Sequence, residues 1–137
     1  MKIVVDSNIL FSALIKDAIT RRIILEYDGA FLFPYYIMSE FEKHKQYLIK
    51  KSKLNDKEFN TLLRLILSKV KIIPIEILQK YKYEALEIVK NIDKNDAMFF
   101  ACALAYKDSV IWSDDKALKK QNIIKVLNTT EILALSF

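Results

Sequence analysis

Apolar and polar residues along this chain fall into blocks of two lengths. The short apolar blocks are Ile3-Val4-Val5, Phe31-Leu32-Phe33, Lys71-Ile72-Ile73-Pro74-Ile75, Ser109-Val110-Ile111-Trp112 and Lys125-Val126-Leu127. They are too short for helices and rich in β-branched or aromatic residues, so they read as strands, the first of them buried on both faces in the manner of a parallel sheet covered by helices. The longer blocks carry apolar residues at helical spacing.

That spacing predicts helices from about Asn8 to Leu14 and from Ala18 to Tyr27, the second stopped by Asp28-Gly29. Pro34 closes the second strand and suits a first helical turn; a long helix then runs to about Lys51 with Ile37, Phe41, Tyr47 and Leu48 on its apolar side. Asn55 with Glu58 forms a capping-box pattern ahead of a helix carrying Phe59, Leu62, Leu63, Ile66 and Leu67. These two helices read as an αα-hairpin inserted between strands. Pro74 implies a strand end or an edge position. A helix from Glu76 to Lys90 leads to the polar turn Asn91-Ile92-Asp93-Lys94-Asn95-Asp96, which opens onto the almost wholly apolar segment Ala97 to Tyr106. A helix apolar on all sides belongs inside the molecule. Thr129 or Thr130 starts a terminal helix through Leu135. Alternating strands and helices predict an α/β fold, a three-layer α/β/α sandwich around a central parallel sheet.

Composition narrows this picture. At 137 residues and 53% hydrophobic, the sequence is expected to form a single domain over residues 1–137. Gly29 is the only glycine, so neither a P-loop nor a dinucleotide-binding loop is present. Cys102, the only cysteine, sits in an apolar run where a buried inert thiol is expected. No run of eighteen uncharged apolar residues and no signal segment occurs, which leaves no membrane association and the cytoplasm as the expected location. The net charge of +5 suits a polyanionic partner. Arg21-Arg22, Lys43-His44-Lys45, Lys50-Lys51-Ser52-Lys53 and Lys119-Lys120 gather that charge in separate segments, which read either as the rim of one groove or as solvated helix faces.

The candidate chemistry lies in the acids. Asp6 falls at the end of the first strand, and ligands of open α/β sheets bind outside the carboxyl ends of the strands. The alternative for Asp6 or Ser7 is a helix cap. Asp115 follows a later strand, and Glu40 and Asp96 lie in early turns of helices that start at the same sheet edge. Two unit charges ~4 Å apart cost about 4 kcal/mol at an effective dielectric near 20, so such a cluster needs cations. Carboxylates select hard divalent ions, Mg²⁺ or Mn²⁺. One histidine and one cysteine exclude a conventional zinc site within one chain.

In Asp6-Ser7-Asn8, Ser39-Glu40, Asp96 before the Ala-rich helix, and Ser113-Asp114-Asp115, taken with their order and strand contexts, the chain resembles the PIN domain family, the metal-dependent nucleases that include VapC-type toxins. The resemblance covers essentially the whole chain. It implies Asp6, Glu40 and Asp96 as metal ligands, Asp115 as a further ligand directly or through water, and Asn8 and Ser113 as polar supports. Asp114 competes with Asp115 for the fourth position, since a shift of one residue after the strand changes which side chain faces the crevice. Asp93 reads as a secondary ligand through water or as a turn or cap residue.

The implied reaction is hydrolysis of RNA phosphodiester bonds by metal-activated water. Arg21, Arg22, Lys43 and Lys116 are the expected contacts to the nucleic-acid backbone. His44 reads as a surface residue or phosphate contact before a base. Tyr35, Tyr36 and Trp112 are candidates for base stacking, although Trp112 within a strand reads mainly as core. The resemblance further implies an antitoxin partner and a homodimer, with Leu62 to Leu67 a candidate contact surface. Two other readings stand beside it. One is a noncatalytic PIN-fold module binding RNA or protein. The other is a phosphohydrolase of the haloacid-dehalogenase type, whose Asp-x-Asp needs an acid where this chain has Asn8.

Overall fold

The structure is a computed structural model that describes residues 1–15 and 18–136. Among these, β1 (Lys2–Val5), β2 (Phe31–Pro34), β3 (Val70–Ile73), β4 (Ser109–Trp112) and β5 (Val126–Leu127) form one sheet in the order β3-β2-β1-β4-β5. Every neighbouring pair is parallel. The chain thus builds outward from β1 to β3, returns to the other side of β1, and continues outward to β5. The reversal falls between β1 and β4, where Val5 stands in register with Trp112. Such a switch point opens a crevice at the carboxyl ends of the two strands.

Helices flank the sheet. The connections up to β3 supply α1 (Ser7–Ile15), α2 (Ala18–Glu26), α3 (Ile37–Ser52) and α4 (Asp56–Ser68), which pack on one another. The connection from β3 to β4 supplies α5 (Ile75–Gln79), α6 (Lys82–Val89) and α7 (Ala97–Ala105), with α7 against β1, β2 and β4. Helix α8 (Thr129–Ser136) follows β5, and short 3₁₀ turns occupy Lys94–Asp96 and Lys116–Lys120.

The predicted hairpin is α3 and α4, and the start of α4 is capped as the sequence implies. Glu58 N donates to Asn55 Oδ1 at 2.8 Å and Asn55 N to Glu58 Oε1 at 3.0 Å. Helix α7 is interior, with Phe99, Phe100, Ala101 and Cys102 buried. Phe99 meets Phe33 edge-on at 5.5 Å, and Phe31 meets Trp112 at 6.0 Å. Each fully buried side chain of this size contributes roughly 1.5–3 kcal/mol, so contacts between α7 and the sheet hold the crevice walls in place.

Three details differ from the sequence reading. Pro34 closes β2 as expected but does not open α3, which begins only at Ile37. The pairing of β2 with β1 stops at Leu32, so the missing N–H of Pro34 costs no ladder bond on that side. The helix expected from Glu76 to Lys90 is two helices, broken where the amides of Lys80 and Tyr81 bond to Ile77 O and Leu78 O, three residues back. No Gly or Pro marks that break. Strand β5 begins at Val126, with Lys125 contributing its carbonyl to Ile111 N at 2.9 Å.

Candidate active site

The site begins where β1 and β4 end. The amide of Asp6 carries the parallel pairing one step past the strand, donating to Trp112 O at 3.2 Å. The Asp6 side chain is 7% exposed, and its Oδ1 accepts from Ile9 N at 2.9 Å. Asp6 is therefore the cap of α1 and, with the same carboxylate, a wall of the crevice; the two readings of this residue are compatible. Burial raises its pKa, hydrogen bonds from Ser113 and Ile9 oppose that rise, and the charges of Asp114 and Asp115 add to it.

Ser113 joins the two strand ends. It is buried, its hydroxyl bonds to Asp6, and its Oγ accepts from Asp115 N at 3.1 Å. Asp115 caps the 3₁₀ turn that follows, accepting from Ala117 N at 3.0 Å. Asp114 is engaged elsewhere. Its Oδ1 accepts from Thr129 N at 2.7 Å and its Oδ2 from Thr129 Oγ1 at 2.8 Å, which anchors the start of α8. Trp112 Nε1 completes that link, donating to Thr129 Oγ1 at 3.0 Å.

Asp96 reaches the crevice from the opposite helical layer, at the junction of the 3₁₀ turn and α7. Its pKa is raised from 3.8 to about 6, first by burial and then by the charges of Asp93, Asp115 and Asp6. Asp93 caps the same turn, accepting from Asn95 N at 2.9 Å. Glu40 lies in the first turn of α3, half-buried, with Oε2 3.8 Å from His44 Nε2.

Asp6, Glu40, Asp96 and Asp115 line one cleft of about 410 Å³. They come from four separate segments of the chain and meet because the sheet is parallel. Asn8 and Asn95 add amides to the wall, and Tyr36, Met98 and Phe99 form its apolar side. Burial pushes the Tyr36 phenol well above its ordinary value, with Glu40 and Asp96 among the charges that reinforce the shift, so it stays an O–H donor. The sequence reading missed the part played by Asn95, Met98 and Phe99. Their signal was position, since Asn95 precedes Asp96 while Met98 and Phe99 begin the helix after it.

Four predicted contacts lie elsewhere. Arg21 Nε donates to Ala13 O at 2.8 Å, and Arg22 Nε is 3.1 Å from Glu26 Oε2. Lys43 is exposed on α3, and Lys116 borders a neighbouring depression. His44 packs edge-on against Phe11 at 5.1 Å. Trp112 is core, and Tyr36 packs edge-on against Phe33 and Phe99.

The donor set decides which metal the cleft suits. Its acids offer only oxygen, and among the described residues no Lys or Arg forms an ion pair with Asp6, Asp96 or Asp115. Among the described residues no group of three or more His, Cys, Asp or Glu side chains is drawn close enough to hold a metal ion as it stands. What fits a hard divalent ion is the chemistry of the donors, all of them oxygen and none of them paired with a described lysine or arginine.

A PIN domain family model matches residues 4–134. Among solved structures, a chain of VapBC2 from Rickettsia felis, crystallised bound to a DNA fragment from the promoter, matches with a TM-score of 0.66 and 19% identity. The match covers 93% of this chain and 98% of that one. At such identity the likeness speaks for the fold. No curated protein matches the chain.

Proposed function

Because the chain belongs to the PIN domain family, we propose that it is an endoribonuclease dependent on Mg²⁺ or Mn²⁺ and the toxin of a toxin-antitoxin pair. One observation carries the nuclease reading: Asp6, Glu40, Asp96 and Asp115 line a single cleft at the switch point of the sheet. No Lys or Arg ion pair among the described residues neutralises Asp6, Asp96 or Asp115. The haloacid-dehalogenase alternative falls with the family assignment, since Asn8 stands where that chemistry needs an acid.

In this reading Asp6, Glu40 and Asp96 hold the ion, and Asp115 joins them directly or through water. When bound, the ion supplies a water of lowered pKa and neutralises charge on the phosphodiester. Asp6 is fixed by the hydrogen bonds from Ser113 and Ile9, so it meets the ion already oriented. Asp96 exchanges any proton it carries for the ion. Asp93, tied to its own turn, acts on the site through charge. The Tyr36 hydroxyl and the amides of Asn8 and Asn95 are neutral donors toward substrate oxygens, and the wall of Tyr36, Met98 and Phe99 excludes water behind the phosphate. Lys43, on the same helix as Glu40, draws a polyanion toward a cleft that would otherwise repel it. Arg21 and Arg22, held by Ala13 and Glu26, contribute through their field.

The toxin reading rests on the shared fold with a VapBC2 chain. An antitoxin that delivers a basic side chain into the acidic cleft would inhibit by taking the place of the ion, and a homodimer is proposed on the same likeness. The substrate is tested by offering labelled single-stranded RNA and matched DNA with Mg²⁺, Mn²⁺ or EDTA. Preferential, metal-dependent cutting of RNA is the expected result; cutting of DNA alone would reassign the substrate.

A further inference from the structure

Asp115 lines the acid cleft and two neighbouring depressions. One of the two is a hollow of about 530 Å³ in which Asp114, Lys116, Lys119, Asn128 and Thr130 join Asp115 and Ser113. Unlike the acid cleft, this hollow holds cations, Lys116 and Lys119, beside its carboxylates. Lys119 is paired with Glu131, whose carboxylate also accepts from Asn128 N at 3.0 Å, and this arrangement holds the lysine at the wall of the hollow. Asn128 Oδ1 accepts from Glu131 N at 2.8 Å, which leaves the amide N–H groups of Asn128 as donors. Lys116 forms no ion pair among the described residues.

We propose that this hollow binds the phosphate of the nucleotide next to the scissile bond. The proposal rests on the nuclease reading above and adds the path of the strand. A strand whose reacting phosphate lies among Asp6, Asp96 and Asp115 carries its next phosphate away from those carboxylates, and the hollow adjoins Asp115. Lys116 supplies a point charge for that phosphate, while Thr130 and Asn128 supply directed donors. Neither Asp114 nor Glu131 competes for Lys116, because the first is bonded to Thr129 and the second to Lys119. Lys116 is thus a binding residue, separate from the acids that act on the reacting phosphate.

The test uses the full chain and a series of single-stranded RNA oligonucleotides in which one phosphate at a time, on either side of the cut, is replaced by an uncharged methylphosphonate. With wild type, neutralising one phosphate adjacent to the cut raises KM about fivefold and changes kcat by less than about twofold, as expected for a lost ground-state contact. Lys116→Ala raises KM on unmodified RNA by a similar factor and is insensitive to neutralisation at that position. Its dependence of log KM on log salt is shallower by about 0.7, and Lys116→Arg restores most of both effects. Wild type and Lys116→Ala with the same KM and the same response at every position would overturn the subsite while leaving the nuclease reading intact. No cleavage by folded wild type with any metal overturns the nuclease reading, and the subsite with it.

Discussion

Ser113 and Asp6 come from opposite ends of the chain, and the Ser113 hydroxyl donates to the Asp6 carboxylate where β4 and β1 end side by side. The same oxygen accepts from Asp115 N at 3.1 Å. One buried serine therefore sets the spacing of two acids that belong to different strands. Ser113→Ala should lower the affinity for Mn²⁺ by about tenfold, the usual cost of removing an outer hydrogen-bond partner. Ser113→Thr should retain most of it. Titration calorimetry with Mn²⁺ checks this, and equal affinity for Ser113→Ala and wild type would show that Asp6 needs no such support.

Asp114 and Asp115 are neighbours with separate tasks. Asp114→Ala removes two bonds at the start of α8 and should cost about 1 kcal/mol of stability, the typical worth of a cap, with RNA cleavage still present. Asp115→Ala should do the reverse, lowering cleavage by at least tenfold with a smaller change in Tm. Melting curves and rates for both variants decide the assignment, and a cleavage loss confined to Asp114→Ala would exchange the two.

Asp96 makes the metal-free protein sensitive to pH. Its folded pKa of about 6 lies above the ordinary 3.8, so the native state binds more protons than the unfolded chain between those values. Stability then falls as pH rises through that window and stays lower at neutral pH. A rise of this size corresponds to about 3 kcal/mol at full weight, which solvent screening in a half-exposed cleft reduces to about 1 kcal/mol. Metal-free Asp96→Asn should therefore melt a few degrees above wild type at pH 7.5 and close to it at pH 4. Mg²⁺ or Mn²⁺ should raise the Tm of wild type more than that of the variant. A variant less stable than wild type at pH 7.5 without metal would contradict the assignment of this shift to burial and neighbouring carboxylates.

Cys102 is expected to be inert. It is fully buried in α7, and burial pushes its thiol up to about 12. A thiol reagent should label it in denaturant and leave it at least about a hundredfold slower in the native protein. Rapid native labelling would mean that α7 opens.

Much of this was legible in sequence because its signals are local. Runs such as Ile3-Val4-Val5 and Ser109-Val110-Ile111 declare buried strands, and a carboxylate directly after a strand or at the start of a helix marks the sheet edge where ligands bind. The capping box of Asn55 and Glu58 was readable for the same reason. What escaped depends on tertiary pairing. The break at Lys80 and Tyr81 has no Gly or Pro to announce it. Arg21 looked like a nucleic-acid contact by charge, but its Nε bonds to a carbonyl of α1. Asp114 and Asp115 differ only in which backbone each side chain reaches, a matter of rotation after β4 that composition does not encode. The wall of Tyr36, Met98 and Phe99 appears only once α3 and α7 are set beside each other.

The cleft of Asp6, Glu40, Asp96 and Asp115 is proposed as a metal-dependent nuclease site. Its most direct measurement is cleavage of one labelled single-stranded RNA by wild type and Asp96→Asn, prepared identically and free of any inhibitory partner, with Mn²⁺ or with EDTA. Wild type should cut in Mn²⁺ and not in EDTA, and Asp96→Asn should cut at a rate lower by at least about a hundredfold, since loss of a catalytic electrostatic group costs about 2.7 kcal/mol or more. Equal cutting by the two proteins, or cutting that persists in EDTA, would contradict that proposal.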